Sequence, residues 1–141
     1  MKIKKLINYI TISMLACTFF ISALTVARAE AEKSTEVDVH TYSYYGEDYD
    51  VTRFDSKETS NSVELGIESA SGSLDYKVLG SYYDNGDSYA DCSNGYVYRV
   101  SGATIKYMYN WVKEWGYDYA GLMAEAVNDS YTHQTGFFVA R

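Results

Sequence analysis

Residues 63–83 read VELGIESASGSLDYKVLGSYY, and this stretch decides the fold. Val63, Leu65 and Ile67 alternate with Glu64, Gly66 and Glu68. A period of two gives a strand one apolar and one polar face. Ala70-Ser71-Gly72-Ser73 is turn chemistry. Leu74, Tyr76 and Val78 then line one face of a second strand that runs to Tyr83. Strands with one wet face belong to antiparallel sheets packed on a single core.

The same grammar extends in both directions. Upstream, Val37, Val39 and Thr41 alternate with Asp38, His40 and Tyr42, Gly46-Glu47-Asp48 interrupts, and Tyr49 to Phe54 resumes. Downstream come Asn85-Gly86 and Asn94-Gly95. Asn-Gly is the strongest short-range hairpin signal, because a type I′ turn needs positive φ at both central residues. Short strands are predicted at Ser88–Cys92 and Tyr96–Ser101. Between Ala103 and Trp115 helical and strand periods both fit. The β-branched and aromatic content favours a strand to Tyr109. Asn110 to Trp115 then reads as one or two helical turns with Gly116 at the C-cap. Tyr117–Val127 and Thr135–Ala140 are the last strands, separated by Asn128-Asp129-Ser130.

The prediction is an all-β fold, an antiparallel β-sandwich of about seven to eight short strands with one short helical crossover. A partly open barrel is the alternative. The domain plan is a signal peptide over 1–29, a flexible lead-in over 30–36 and a single β-sandwich domain over 37–141.

The N-terminus carries the signal. Lys2, Lys4 and Lys5 precede an apolar run densest from Ile12 to Leu24, which closes on Ala27-Arg28-Ala29. This is the build of a secretory signal peptide. An uncleaved membrane anchor competes, but Asn8, Thr11, Ser13, Thr18, Ser22 and Thr25 weaken it. Cys17 invites a lipoprotein reading, but Leu15 sits one place too close to it for the usual lipobox. Cleavage after Ala29 leaves 112 residues, Glu30 to Arg141, with a net charge of −11 against −7 for the whole chain. The expected product is extracellular, with no transmembrane segment in the mature chain.

An acidic surface of this kind repels nucleic acid and anionic lipid. Removal of Cys17 with the signal leaves Cys92 alone, so no intramolecular disulfide can form. A lone extracellular Cys reads as a small buried hydrophobe. The chain has no proline, which excludes proline-rich wall spacers and an LPxTG-type sorting signal.

Chemistry-bearing motifs are sparse. Asp84, Asp87 and Asp91 offer a weak calcium site, since calcium takes carboxylate oxygens from a curling loop. They lack EF-hand spacing, and a plain acidic hairpin is the simpler account. Glu47, Asp48 and Asp50 form a second acidic turn. No carboxylate pair is marked out for glycosidase chemistry. Cys92 with His40 or His133 would supply a thiol nucleophile, but no neighbourhood typical of a Cys hydrolase surrounds it. Two histidines and no cysteine pair argue against zinc. No cofactor is expected.

Tyrosine is the main compositional anomaly, with 16 in the chain. Tyr42, Tyr44, Tyr82, Tyr89, Tyr96 and Tyr98 fall on strands expected to be neighbours. Their rings suit a binding face for a surface glycan or a protein. Cross-strand stabilisation of the sheet is the competing explanation.

The segment Tyr107-Met108-Tyr109-Asn110-Trp111-Val112-Lys113-Glu114-Trp115-Gly116-Tyr117, with Ala120, Leu122 and Thr135-Gly136-Phe137, resembles small secreted proteins of Gram-positive bacteria, some of them lactococcin-type bacteriocins. The resemblance implies export and, as an alternative to simple binding, bacteriocin-like action on competitor envelopes. It implies no catalytic residues. The expected function is that of a small secreted acidic non-enzymatic protein, binding at the cell surface or in the medium.

Expression in a secreting host should release a chain beginning at Glu30, with Ala31–Glu32 as the secondary cleavage site. Intact-mass analysis of the supernatant reads this directly. Recovery of the full-length chain from membranes alone would refute secretion.

Overall fold

A computed structural model describes residues 34–41, 48–128 and 130–141. Ten strands follow in order: β1 (Thr35–Thr41), β2 (Tyr49–Val51), β3 (Asp55–Ser56), β4 (Val63–Ala70), β5 (Leu74–Ser81), β6 (Ala90–Asp91), β7 (Tyr98–Val100), β8 (Thr104–Met108), β9 (Tyr119–Ala126) and β10 (Thr132–Val139). They form two antiparallel sheets. The first has four strands in the order β1-β10-β4-β8. The second has six, with β9 and β5 paired at its centre. The short β2 and β3 pair with β9, and β6 and β7 pair with β5. The expected lead-in is shorter than read, because Thr35 and Glu36 already pair with β10.

The alternation in 63–83 is realised, but its turn does not close a hairpin. β4 lies in the first sheet and β5 in the second. Ser71-Gly72-Ser73 is therefore a corner between sheets. Inward side chains of both sheets then join one buried cluster. Val37, Val39, Leu65, Ile67 and Phe138 come from the first sheet, and Leu74, Tyr76, Val78, Leu122 and Ala124 from the second. Burial of such a side chain contributes about 1.5–3 kcal/mol. That is the main source of stability here, since Cys92, the cysteine among the described residues, is unpaired.

A bulge adjusts the pattern in β4. Ser69 pairs with Thr135, but Ile67 pairs with Gly136, so Glu68 is an extra residue. The kink lets Ala70 as well as Ile67 turn towards the core. At this point the strands approach closely. A Cβ on Gly136 would collide with the Gly66 carbonyl oxygen and the Ile67 Cα, so only glycine fits.

One polar group spans the core. Tyr76 on β5 is fully buried, and its hydroxyl donates to Gln134 Oε1 on β10 at 3.0 Å. Gln134 is also fully buried, and its Nε2 donates to the Gly72 carbonyl at 2.7 Å and the Val100 carbonyl at 3.0 Å. The amide thus uses its acceptor and both donor hydrogens. Glu64 on β4 is buried with its carboxylate 2.6 Å from Arg141 Nη2. Lys57 is buried too, donating to the Asn61 carbonyl at 2.6 Å and to the Arg141 carbonyl.

Two local expectations need correction. The short helical crossover is absent: among the described residues there is no helix. The link from β8 to β9 does cross between sheets, through a single hydrogen-bonded turn. Trp115 N–H donates to the Trp111 carbonyl at 3.0 Å, Gly116 N–H to Lys113 at 3.0 Å and Tyr117 N–H to Val112 at 2.9 Å. Gly116 has φ +85°, the left-handed residue that closes such a turn. The C-terminal stop is as read. It arrives before a helix can repay its nucleation. Asn94-Gly95 has the tight-turn geometry predicted, with φ +49° and +81° and a bond from Tyr96 N–H to the Ser93 carbonyl of 2.9 Å, but it closes no hairpin, because β6 and β7 both pair with β5 and not with each other. Asn85-Gly86 lacks that geometry, since positive φ falls on Gly86 and Ser88. Gly86 is held against the Phe54 ring, and Asn85 accepts from Asp87 N–H at 3.1 Å.

No helix among the described residues is long and apolar enough to cross a membrane.

Tyr76→Phe should cost about 1–3 kcal/mol in urea unfolding, because Gln134 Oε1 loses its donor inside the core. Burial also raises the ionisation of Tyr76 well above its ordinary value. The unfolded chain releases that proton near pH 10 and the folded chain does not. Its contribution is therefore intact below pH 10 and lost as pH rises beyond it. Tyr76→Phe should flatten that alkaline loss.

Cys92 lies fully inside the core. Burial, with the Asp91 carboxylate beside it, pushes the thiol up to about 11. A colorimetric thiol reagent at pH 8 should leave native protein unmodified and titrate one thiol after denaturation, provided the signal segment is removed. Rapid modification of folded protein would contradict this burial.

Candidate functional site: an exposed aromatic ridge

β8 is the edge of the first sheet, and β7 lies at the edge of the second. The aromatic residues gather where these edges meet. Tyr98 pairs across the strands with Tyr76, so it shares the core-facing side of β7. Being at the rim, it is half-buried against the core. Tyr96 lies just beyond, after the Asn94-Gly95 turn, and is 52% exposed. The Tyr98 hydroxyl accepts from Tyr109 N–H at 2.8 Å and ties the end of β8 to β7. Trp111 and Trp115 follow on the single turn, and Trp111 N–H donates to the Cys92 carbonyl at 2.9 Å.

Five rings thus run in a connected row. Tyr98 and Tyr96 have centroids 6.5 Å apart, Tyr96 and Tyr109 5.8 Å, Tyr109 and Trp111 6.5 Å, and Trp111 and Trp115 6.2 Å. The Tyr96–Tyr109 and Tyr109–Trp111 pairs meet edge to face, at 78° and 84°. That arrangement matches the ring quadrupoles and leaves faces of differing orientation open to solvent. Tyr109 and Trp115 are 46% and 44% exposed. The Trp111 Nε1–H is buried with no acceptor from the protein. Two ion pairs lie on the ridge's own elements. Arg99 on β7 holds Asp75 through two bonds of 2.9 and 2.8 Å, and Lys113 on the turn lies 2.9 Å from Asp118. The Arg99 hydrogen bond keeps the Asp75 carboxyl below its ordinary range.

The six tyrosines proposed as one face are divided. Tyr96 and Tyr98 belong to the ridge. Tyr82 packs on Tyr117 with centroids 4.6 Å apart, and Tyr89 on Phe54 at 6.1 Å. Tyr42 and Tyr44 lie outside the described residues. The ridge adds Tyr109, Trp111 and Trp115, which the sequence reading assigned to a strand end and a helix. Helical and strand periods both fit that segment, so its periodicity gave no signal for which of its side chains face solvent.

The acidic candidates serve local turns. Asp91 accepts from Ser93 N–H at 2.8 Å, and Asp87 accepts from Asn85 Nδ2 at 2.9 Å. Asp84 is exposed. Among the described residues, the group of three metal-capable side chains within reach of one another is Asp38, His40 and His133, not Asp84, Asp87 and Asp91.

No protein family, curated protein or solved structure matches this chain, so the resemblance to lactococcin-type proteins rests on the quoted motifs alone.

Proposed function

We propose that this chain is a secreted, acidic, non-enzymatic binding protein, a small β-sandwich that takes its ligand along the Tyr98–Trp115 ridge. The observation that carries the reading is the connected row of five rings, three of them about half exposed. Soluble proteins seldom leave such an apolar run open without a partner for it. Tyr and Trp suit recognition because they bury a large area at little entropic cost while their polar tips stay hydrated.

The chemistry favours a neutral glycan chain. Sugar rings present C–H faces that stack on aromatic faces, and successive rings turned through large angles follow a twisted oligosaccharide better than a flat surface. The net charge disfavours anionic polymers. The non-enzymatic part rests on the quiet thiol of Cys92 and on carboxylates already engaged in turns.

Titration with neutral cell-wall or plant oligosaccharides, followed by tryptophan fluorescence, tests this. Trp115→Ala and Tyr96→Ala should each weaken binding about tenfold, corresponding to roughly 1.4 kcal/mol. Tyr49→Ala, an exposed ring on β2, should leave it unchanged. Ridge variants that bind as the parent does would overturn the assignment.

A further inference from the structure

The geometry points to a second site, on β1 and β10: Asp38, His40 and His133 bind a divalent transition-metal ion of the zinc, copper or nickel kind.

Strand register creates the grouping. His40 and His133 are direct cross-strand partners. Their backbone N–H groups point away from each other, His40 to Asp50 Oδ2 at 2.8 Å and His133 to Ser71 Oγ at 2.9 Å. They are thus a non-hydrogen-bonded pair, the kind whose side chains come closest. The rings stack with centroids 4.1 Å apart and planes 9° apart. Val37, Val39 and Thr41 face the core, so Asp38 and His40 share the outer face of β1.

The donor atoms converge. Asp38 Oδ1 is 2.8 Å from His133 Nε2 and 3.2 Å from His40 Nε2. The three donor atoms all lie within 4.8 Å of one another. Zinc bonds of about 2.0–2.2 Å to nitrogen and oxygen require donors at such separations. Support comes from a further residue. Tyr131 Oη lies 2.9 Å from His40 Nδ1. With Nδ1–H donating to that oxygen, the Nε2 lone pair is left for a metal, the usual role of an outer hydrogen bond to a ligating histidine.

The donor set chooses the ion. Two imidazoles and one carboxylate suit zinc, copper and nickel, whereas calcium and magnesium take oxygen ligands. The side chains are 41%, 37% and 55% exposed for His40, His133 and Asp38. An ion has direct access, and binding requires the two rings to rotate out of their 9° stack so that both ring planes meet at the ion. Three protein ligands leave a position for water or an outside donor. By sequence, two histidines and no cysteine pair argue against zinc. Pairing of β1 with β10 supplies the proximity.

Calorimetric titration of tag-free protein with zinc chloride should find one equivalent bound, with calcium chloride giving no heat and no competition. His133→Gln and Asp38→Asn should each weaken zinc at least tenfold. Asp87→Asn, in the other acidic turn, should not. Histidine ring signals in NMR spectra should shift on adding zinc, with the amides of the ridge unmoved. Both ligand variants alter exposed side chains, and circular dichroism verifies their fold. Zinc binding that is unchanged in both, or that calcium displaces, would overturn the site.

Discussion

The hydrogen bond between Tyr76 and Gln134 is the constraint on which the two-sheet arrangement depends. Apolar contacts alone tolerate sliding of one sheet over another, because burial is non-directional. A buried amide does not, since each unmet donor or acceptor would remain dry. Gln134 stands on β10, and its partners stand on β5, on β7 and at the corner that leaves β4. Satisfying all of them at once sets the position of one sheet against the other. A closed polar network of this kind favours a single packing. It matters more where no disulfide among the described residues holds the layers.

With the layers aligned, the two ends of the strand order acquire different characters. At one side β7 and β8 meet, and the chain covers that seam with Tyr96, Tyr98, Tyr109, Trp111 and Trp115. At the other, β1 ends the first sheet and is blunted by carboxylates. Asp50 accepts from the His40 N–H, and Asp55 accepts from the Thr35 hydroxyl at 3.1 Å. Polar capping of this sort is how an edge avoids pairing with another chain. The apolar seam and the polar edge lie at opposite ends of the first sheet's strand order. This separation lets the proposed glycan ridge and the proposed metal site act independently.

Glycine and aromatic residues also cooperate on the outer faces. Phe137 lies directly across the strands from Gly66, and its ring fills the space a Cβ would take. Phe54 does the same over Gly121 and over Gly86. A ring over a glycine restores the side-chain contact that a strand loses there. Tyr117 covers Gly80 in the same way, and Tyr82 packs on Tyr117.

The sequence by itself determined most of the strands, the inward faces of the longest ones and several turns, but not β3 or the start of β10 at Thr132, three residues before the predicted Thr135. Val63, Leu65, Ile67, Leu74, Tyr76 and Val78 were legible as core because alternation with polar neighbours is a local property of the chain. The positive φ at Asn94, Gly95 and Gly116 was legible for the same reason, as each depends on one or two residues. Only the tertiary structure decided which strands share a sheet. It made Ser71-Gly72-Ser73 a corner, placed the bulge at Glu68 and reduced the expected helix to one turn. It also chose the neighbours of each chemistry-bearing group. His40 meets His133, and Tyr96 meets Tyr109, through pairings between distant segments. No local pattern encodes those meetings. They follow from register, which the whole core and its buried Gln134 set together.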